Sequence, residues 1–392
     1  MAIGTLVSTR WLSVGSSDLA DSAAAGRAAA LAATGGKTAK LLIAFASHGH
    51  APQALLDAIA EVTHNAPLIG CTTAGEIAAS GPTDNGVVVV ALGGSGFNVR
   101  SASAVAGGEG QLRDASATVA GCARGLEGEF KALLLLSDGL GGDQEEVVRG
   151  AYSVVGASIP LVGGCAGDDL RMKETVQFHD REVLHGAVVG AAISSDSPIG
   201  IGVRHGWQRV GDAMLVTSSS DNHVYALDDK PALDVYLDKL GVQGAARMDP
   251  AAFTQFAITH PLGISRRSGE QVRFIGGANF DDRSLSCIAN VPQGGLAWFM
   301  EGDENSVLEA TDAACTDAIA ALGGHKPIGF VAFDCIARRG VLGTAGIAKE
   351  VERIGAHADG APVAGFYTYG EIARTRGTTG FHNQTLVVLA LS

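Results

Sequence analysis

Aromatic residues are scarce in this 392-residue chain, at 5% of the total. Its core must therefore come from small and branched aliphatics, and 54 glycines imply many tight turns. Charge is also sparse, at 18% against 46% hydrophobic residues, which excludes a disordered chain of low hydrophobicity and high charge. No apolar run reaches the roughly 18 residues of a membrane-spanning helix, so no membrane insertion is expected. Positive charge is in deficit: 28 Lys+Arg face 41 Asp+Glu, a net −13 that argues against nucleic acid as a partner. The Ala-rich stretch of the first thirty residues is broken by Asp18, Asp21 and Arg27, so no secretory signal is expected. Cys71, Cys122, Cys165, Cys287, Cys315 and Cys335 form no CxxC pair and read as reduced thiols of a cytoplasmic protein. Length exceeds one ordinary core and predicts two domains of roughly 150–200 residues each.

What the chain does contain is a repeated motif. Pro67-Leu-Ile-Gly-Cys-Thr-Thr-Ala-Gly-Glu-Ile77, Pro160-Leu-Val-Gly-Gly-Cys-Ala-Gly-Asp-Asp169 and Pro362-Val-Ala-Gly-Phe-Tyr-Thr-Tyr-Gly-Glu-Ile372 share one pattern. Each has Pro, two apolar residues, Gly, and then a Gly followed by a carboxylate. Short apolar runs precede them (Leu41 to Ser47, Ala132 to Ser137, Ile328 to Phe333) and follow them (Val87 to Leu92, Ala187 to Ile193, Thr385 to Leu391). Runs of this length bounded by turn residues predict strands buried on both faces.

Helical patterns fill the gaps, over roughly 17 to 34, 111 to 126 and 305 to 322. Another begins after Asp143, whose side chain suits an N-cap ahead of the acidic Glu145 and Glu146, with Gly156 as its stop. The unit is thus helix, strand, helix, strand, turn, strand, and predicts an α/β fold with mixed sheets covered by helices in two packed domains. A turn-rich stretch near Leu227-Asp228-Asp229-Lys230-Pro231 places the boundary near 225, giving domains 30–225 and 226–392.

Familiar catalytic and metal motifs fail one by one. Gly36-Lys37-Thr38 precedes a strand instead of following one, and Leu31 stands where a phosphate loop needs glycine. Ser95 is followed by Phe97 at the last glycine of a nucleophile elbow. His48-Gly49-His50 lacks a third metal ligand and reads as a loop with solvated histidines. A haem iron needs only one proximal histidine, and His64, His179, His205, His223, His260 and His382 all remain open to that role. Cys71 and Cys165 lack a neighbouring base and default to small hydrophobes. No catalytic or metal-ligating residue is expected.

The repeated turns are more informative, because ligands of α/β folds bind outside the carboxyl ends of strands. Gly75-Glu76, Gly167-Asp168-Asp169 and Gly370-Glu371 each place a carboxylate there, where it can accept bonds from a ligand ammonium or from turn amides. The candidate ligand-binding set is Thr72, Thr73, Gly75 and Glu76, Asp168 and Asp169, Tyr369, Gly370 and Glu371, with His382 and Asn383.

These turns, with Asp84-Asn-Gly-Val-Val-Val-Val90, Tyr225-Ala-Leu-Asp-Asp-Lys-Pro-Ala-Leu-Asp-Val-Tyr236 and Phe381-His-Asn383, resemble the FIST proteins, sensory modules of microbial signal transduction. The resemblance runs from about residue 30 to the end. It implies an N-terminal and a C-terminal FIST domain and a non-enzymatic sensor of a small metabolite such as an amino acid. It also implies output through a separate protein, a histidine kinase or another signalling partner. Haem-binding nitric oxide sensors of the same family are the alternative it carries, and an enzyme using Cys71 or the repeated acids is a third reading.

Overall fold

The computed structural model describes residues 9–107, 111–266, 269–375, 377 and 379–392. One order of elements runs through it three times. The first passage is β1 (Trp11–Ser17), α1 (Ser22–Thr34), β2 (Leu41–Ser47), α2 (Pro52–Thr63), β3 (Leu68–Thr73), β4 (Glu76–Ala78), β5 (Gly81–Thr83) and β6 (Val87–Gly93). The second is β7 (Phe97–Val105), α3 (Leu112–Ala120), β8 (Phe130–Ser137), α4 (Glu145–Val155), β9 (Leu161–Cys165), β10 (Val176–His179), β11 (Glu182–His185) and β12 (Ala187–Ser195).

The third opens with β13 (Ile199–Arg204) and is then interrupted by an inserted module. That module comprises β14 (Gln208–Ser220), β15 (His223–Leu227), β16 (Lys230–Pro231), α5 (Ala232–Lys239), α6 (Pro250–Ala257), β17 (Leu262–Arg266), β18 (Gly269–Arg273), β19 (Ile275–Asn279), β20 (Ser284–Cys287) and β21 (Leu296–Glu301). The third passage resumes with α7 (Glu304–Ala320), β22 (Gly329–Cys335), α8 (Ile336–His357), β23 (Val363–Thr368), β24 (Glu371–Arg374), β25 (Phe381–His382) and β26 (Leu386–Leu391).

Each passage builds a sheet and lends strands to a neighbour. The sheet orders are β1-β6-β2-β3-β10-β11, β25-β24-β9-β8-β12-β7 and β13-β26-β22-β23-β4-β5. The first passage therefore completes the third sheet, the second completes the first, and the third completes the second. The exchange is cyclic, and the fold is α/β with mixed sheets.

Alternation along the apolar strands explains how the layers form. Leu41, Ile43 and Phe45 of β2 point into a central core, whereas Leu42, Ala44 and Ala46 point under α1 and α2. Ala132, Leu134 and Leu136 of β8, and Val331 and Phe333 of β22, enter the same central core, with Leu133, Leu135, Phe330 and Ala332 facing their own helices. Phe45, Phe333 and Phe366 meet at its centre, with ring centroids 4.7–6.4 Å apart. The inserted module keeps a core of its own, around Tyr236, Phe253 and Phe299.

The shared glycine of the motif has a packing reason. Gly70, Gly163 and Gly365 stand opposite Ala44, Leu135 and Ala332 in the parallel pairs β2/β3, β8/β9 and β22/β23. A Cβ at these glycines would lie 2.2, 1.9 and 2.1 Å from the carbonyl oxygens of those partners. Only a residue without a side chain lets the two strands approach this closely.

The helix expected over 17–34 starts at Ser22, because Ser17 still belongs to β1 and Asp21 caps the first turn by accepting from Ala24 N at 2.8 Å. Asp143 accepts from Glu145 N at 3.0 Å ahead of α4, and Gly156 ends that helix. All six cysteines are free, and five are buried.

Candidate ligand-binding site

The repeated turns are clasps between passages. Ala74 N donates to Tyr367 O and Tyr367 N to Gly75 O, Gly167 N to Thr72 O, and Cys165 N to Gly370 O. Gly75 adopts φ +111°, and a Cβ there would meet the Arg339 guanidinium and the Tyr367 ring. The three turn carboxylates then part company.

Glu76 is fully buried, and Thr73 Oγ1, Thr83 Oγ1 and Gly86 N donate to it at 2.5, 3.0 and 2.9 Å. Burial pushes its carboxyl up to about 7 against those bonds. Glu371 is equally buried, accepting from Thr368 Oγ1 at 2.5 Å and Thr385 N at 3.2 Å, and burial pushes it up to about 8. Both carboxylates hold their own turns. In both, Thr three residues ahead of Glu folds the expected ligand-facing side chain back onto the turn.

Asp168 differs. Cys165 replaces the threonine, and its thiol lies 3.3 Å from Ser137 Oγ instead of supporting the turn. Asp168 turns toward its own loop and accepts from Met172 N at 2.9 Å, Lys173 N at 2.7 Å, Glu174 N at 3.1 Å and Tyr369 Oη. Burial opposes its ionisation, but the Tyr369 and backbone bonds outweigh it and hold the carboxyl below its ordinary value. Tyr369 Oη also accepts from Leu170 N at 2.6 Å. One carboxylate and one phenol thus shape the strap 168–174, in which Asp169, Leu170 and Met172 carry positive φ.

Beneath the strap lies a cavity of about 340 Å³ at the carboxyl ends of the parallel strands β2 and β3. His48, His50, Pro52, Thr72, Asp168, Arg171, Lys173, Glu174, Val176, Val183 and His185 line it. Thr72 Oγ1 accepts from Val176 N at 3.0 Å and ties the floor to the strap's far end. His50 is buried between Ser22 Oγ at 3.4 Å and Asn85 O at 3.3 Å, so it is not the solvated histidine its loop position suggests. His48 Nδ1 is buried without a partner among the described residues.

Glu174 Oε1 lies 3.1 Å from His185 Nδ1, but Arg171 and Lys173 have no carboxylate partner among the described residues. The start of α2 opens onto the same space, and its N-cap Ala51 has no side-chain acceptor. Arg171 and Lys173 thus face an uncapped helix start across a lining that also holds the carboxylates of Asp168 and Glu174, a mixed-charge mouth with donors for a carboxylate or phosphate and acceptors for an ammonium.

The structure brings Thr72 and Asp168 to this cavity, with exposed Asp169 beginning the strap and Tyr369 bracing it. Thr73, Gly75, Glu76, Gly370 and Glu371 lie in the clasps behind. His382 and Asn383 lie elsewhere, where the inserted module meets the third passage. His382 Nε2 is 3.0 Å from Ala373 O, burial pushes its imidazole down to about 4, and Asn383 Oδ1 is buried without a partner among the described residues. Arg171 and Lys173 were legible only as a basic pair directly behind Gly167-Asp168-Asp169.

The histidines considered for haem are otherwise engaged. His179 bridges Ser101 and Ser103, His205 accepts from Trp207 N and faces Glu270, and His223 contacts Asn222. His260 stacks on Phe256, and His64 lines a shallow charged groove with Asp57, Glu61 and Arg181. His179 also lines a cavity of about 700 Å³ with Ile59, Ala66, Pro67 and Leu68, but Ser101 and Ser103 occupy both of its ring nitrogens.

The model of the FIST N domain matches residues 40–230, and that of the FIST C domain matches residues 232–374. The chain belongs to the FIST family. FIST domains are associated with sensing in signal transduction. An uncharacterized protein of Methanocaldococcus jannaschii is 27% identical over 123 residues, covering 29% of this chain and 24% of that relative's length. A cyanuric acid hydrolase from A. caulinodans matches with a TM-score of 0.26 and 11% identity over 47% of this chain and 71% of its own, too distant to inform the fold or the chemistry. No helix among the described residues is long and apolar enough to cross a membrane.

Proposed function

We propose that this FIST protein is a cytoplasmic sensor whose ligand, a small metabolite bearing a carboxylate such as an amino acid, occupies the cavity under the strap 168–174. The observation carrying this reading is the unpaired Arg171 and Lys173 over the uncapped start of α2, in a cavity of about 340 Å³. Glu174 on the same rim offers an acceptor for an ammonium group. An enzyme using the repeated acids or Cys71 gains no support: Glu76 and Glu371 are spent on their turns, and burial pushes the Cys71 thiol well up. Output through a histidine kinase or another separate signalling protein completes the proposal.

Thermal-shift titration with individual amino acids tests it. A ligand at a hundred times its Kd stabilises by about 2.7 kcal/mol. The expected result is a rise in Tm for wild type that is lost in the double variant Arg171→Gln/Lys173→Gln, whose ligand-free Tm matches wild type. A response that survives in the variant, or no response to any amino acid in wild type, refutes the site or the ligand class respectively.

A further inference from the structure

In the third passage the position equivalent to the strap site is occupied by a side chain. There the strand end is filled by Arg338, which is fully buried and forks between two buried carboxylates. Arg338 Nε donates to Asp334 Oδ1 at 2.7 Å, and Nη2 donates to Glu350 Oε1 at 2.5 Å and Thr311 Oγ1 at 2.9 Å. Nη1 donates to His205 O at 2.9 Å. The second oxygens, Asp334 Oδ2 and Glu350 Oε2, are buried without a partner among the described residues, as is Tyr367 Oη.

Buried carboxylate oxygens cannot stay ionised and unpaired without cost, and the side chains of Asp334 and Glu350 lie within hydrogen-bonding reach of one another. The charge count points the same way. Arg338 is one cation against three fully buried carboxyls, since Glu371 joins the group from β24. Arg339 does not help, because it is engaged by Asp84, Ala74 O and the face of Tyr367. The Cys335 thiol from β22 bonds Glu371, and the Cys315 thiol of α7 stays neutral, pushed up to about 12 by burial.

We propose that this cluster is a proton-binding site, with one proton held between Asp334 Oδ2 and Glu350 Oε2, and that its release to solvent loosens α8 from the third sheet. The link to the rest of the molecule is short. Arg338 and Glu350 belong to α8, Asp334 ends β22, and the neighbouring Arg339 reaches the clasp at Ala74. Burial holds the Asp334 carboxyl well above its ordinary value, against the neighbouring Arg338 charge. With the folded value raised above the unfolded 3.8, the proton's stabilisation is complete below that pH and is lost as pH rises through the folded value.

The test uses the full chain in a Glu76→Gln/Glu371→Gln background, so that neither of these raised carboxyls contributes a proton. Infrared spectra at neutral pH should show a protonated-carboxyl C=O band above the amide bands, shifted in D2O and absent when Asp334→Asn or Glu350→Gln is added. As pH rises from the unfolded 3.8 toward the folded value, the unfolding constant of the background protein should rise by up to tenfold per pH unit, and either added variant should remove that dependence. Two isosteric variants are used because one of them may fold poorly. A background protein without the band, or a band and pH slope that persist in the folded variant, overturns the proposal.

Discussion

The first and third passages end their parallel strands alike and fill the space above them in opposite ways. In the first, residues 48–51 separate β2 from α2, so the helix starts to one side and leaves a cavity. In the third, α8 begins at Ile336 directly after β22 ends at Cys335. Its first turn therefore lies over the strand end and drops Arg338 into the space. The second passage is intermediate: its longer loop folds Gln144 back onto Ser137 Oγ at 2.8 Å and Asp138 O at 2.8 Å, and Arg273 of the inserted module lies 3.5 Å from Glu145. The same loop and the inserted module also line a cavity of about 580 Å³. One backbone plan thus yields an open mouth, a mouth shared with a neighbouring module and a plugged one, and connection length decides between the first and the last.

The largest expected effect strikes what all three share. Gly70→Ala places a methyl group 2.2 Å from Ala44 O and 2.9 Å from the Phe178 ring, with no flexible atom on the backbone side to yield. Destabilisation of about 4 kcal/mol or more is expected, in the range reserved for core strain, and is read by chemical denaturation. Gly163→Ala and Gly365→Ala should behave alike, and a mild effect at all three would mean that the close strand pairing is not what requires glycine.

That glycine was visible in the sequence as a repeated letter, and the all-apolar strands were legible because both faces are buried. The cyclic exchange of strands was not. β4 is three residues long, too short for any periodicity, and it pairs with β23 almost three hundred positions away. The strands that open the passages, β1, β7 and β13, carry no clear strand signal, because β1 and β7 mix polar and apolar residues and β13 alternates with glycine. At the site, similarity among the three turns concealed the one difference that matters, Cys165 in place of Thr73 and Thr368. A hydroxyl three residues before the acid folds it inward, whereas the weaker thiol donor of Cys165 lies against Ser137 instead.

The next effect sharpens the contrast between plugged and open mouths. Arg338→Met leaves Asp334 and Glu350 buried without their cation and should cost about 3–5 kcal/mol. Arg171→Met, on the exposed strap and without an ion pair among the described residues, should stay within about 0.5 kcal/mol. Parallel denaturation curves check both, and comparable losses would mean that Arg171 has a structural role.

A smaller effect separates carboxylates that occupy the same turn position. Glu371 has a folded value raised to about 8, so its stabilisation is present below 4.5 and is lost as pH rises through about 8. Glu371→Gln should therefore be near neutral in acid and more stable than wild type above pH 8. Asp168 has a lowered value, so its stabilisation is present above 3.8 and is lost as pH falls through the folded value. Asp168→Asn should cost about 1–3 kcal/mol at neutral pH, with the deficit vanishing in acid. Melting curves across pH decide the matter, and parallel pH profiles for the two variants would erase the distinction between clasp and strap.

A single hydrogen bond is at stake at Tyr369, the contact by which the third passage braces the strap of the second over the cavity of the first. Tyr369→Phe keeps the half-buried ring and removes only the phenol that donates to Asp168 and accepts from Leu170 N. Leu170 is exposed, so its amide can turn to water, and Asp168 retains its three backbone donors. The global cost should be about 0.5–1.5 kcal/mol, one ordinary hydrogen bond. The local consequence should be larger than the global one, because Asp169, Leu170 and Met172 are held in left-handed conformations that relax once a brace is removed. Hydrogen exchange should therefore accelerate at the amides of 170 and 172–174 while β2 and β3 stay protected. Unchanged exchange in the strap would show that Asp168 alone shapes it, and that the third passage has no mechanical hold on the cavity.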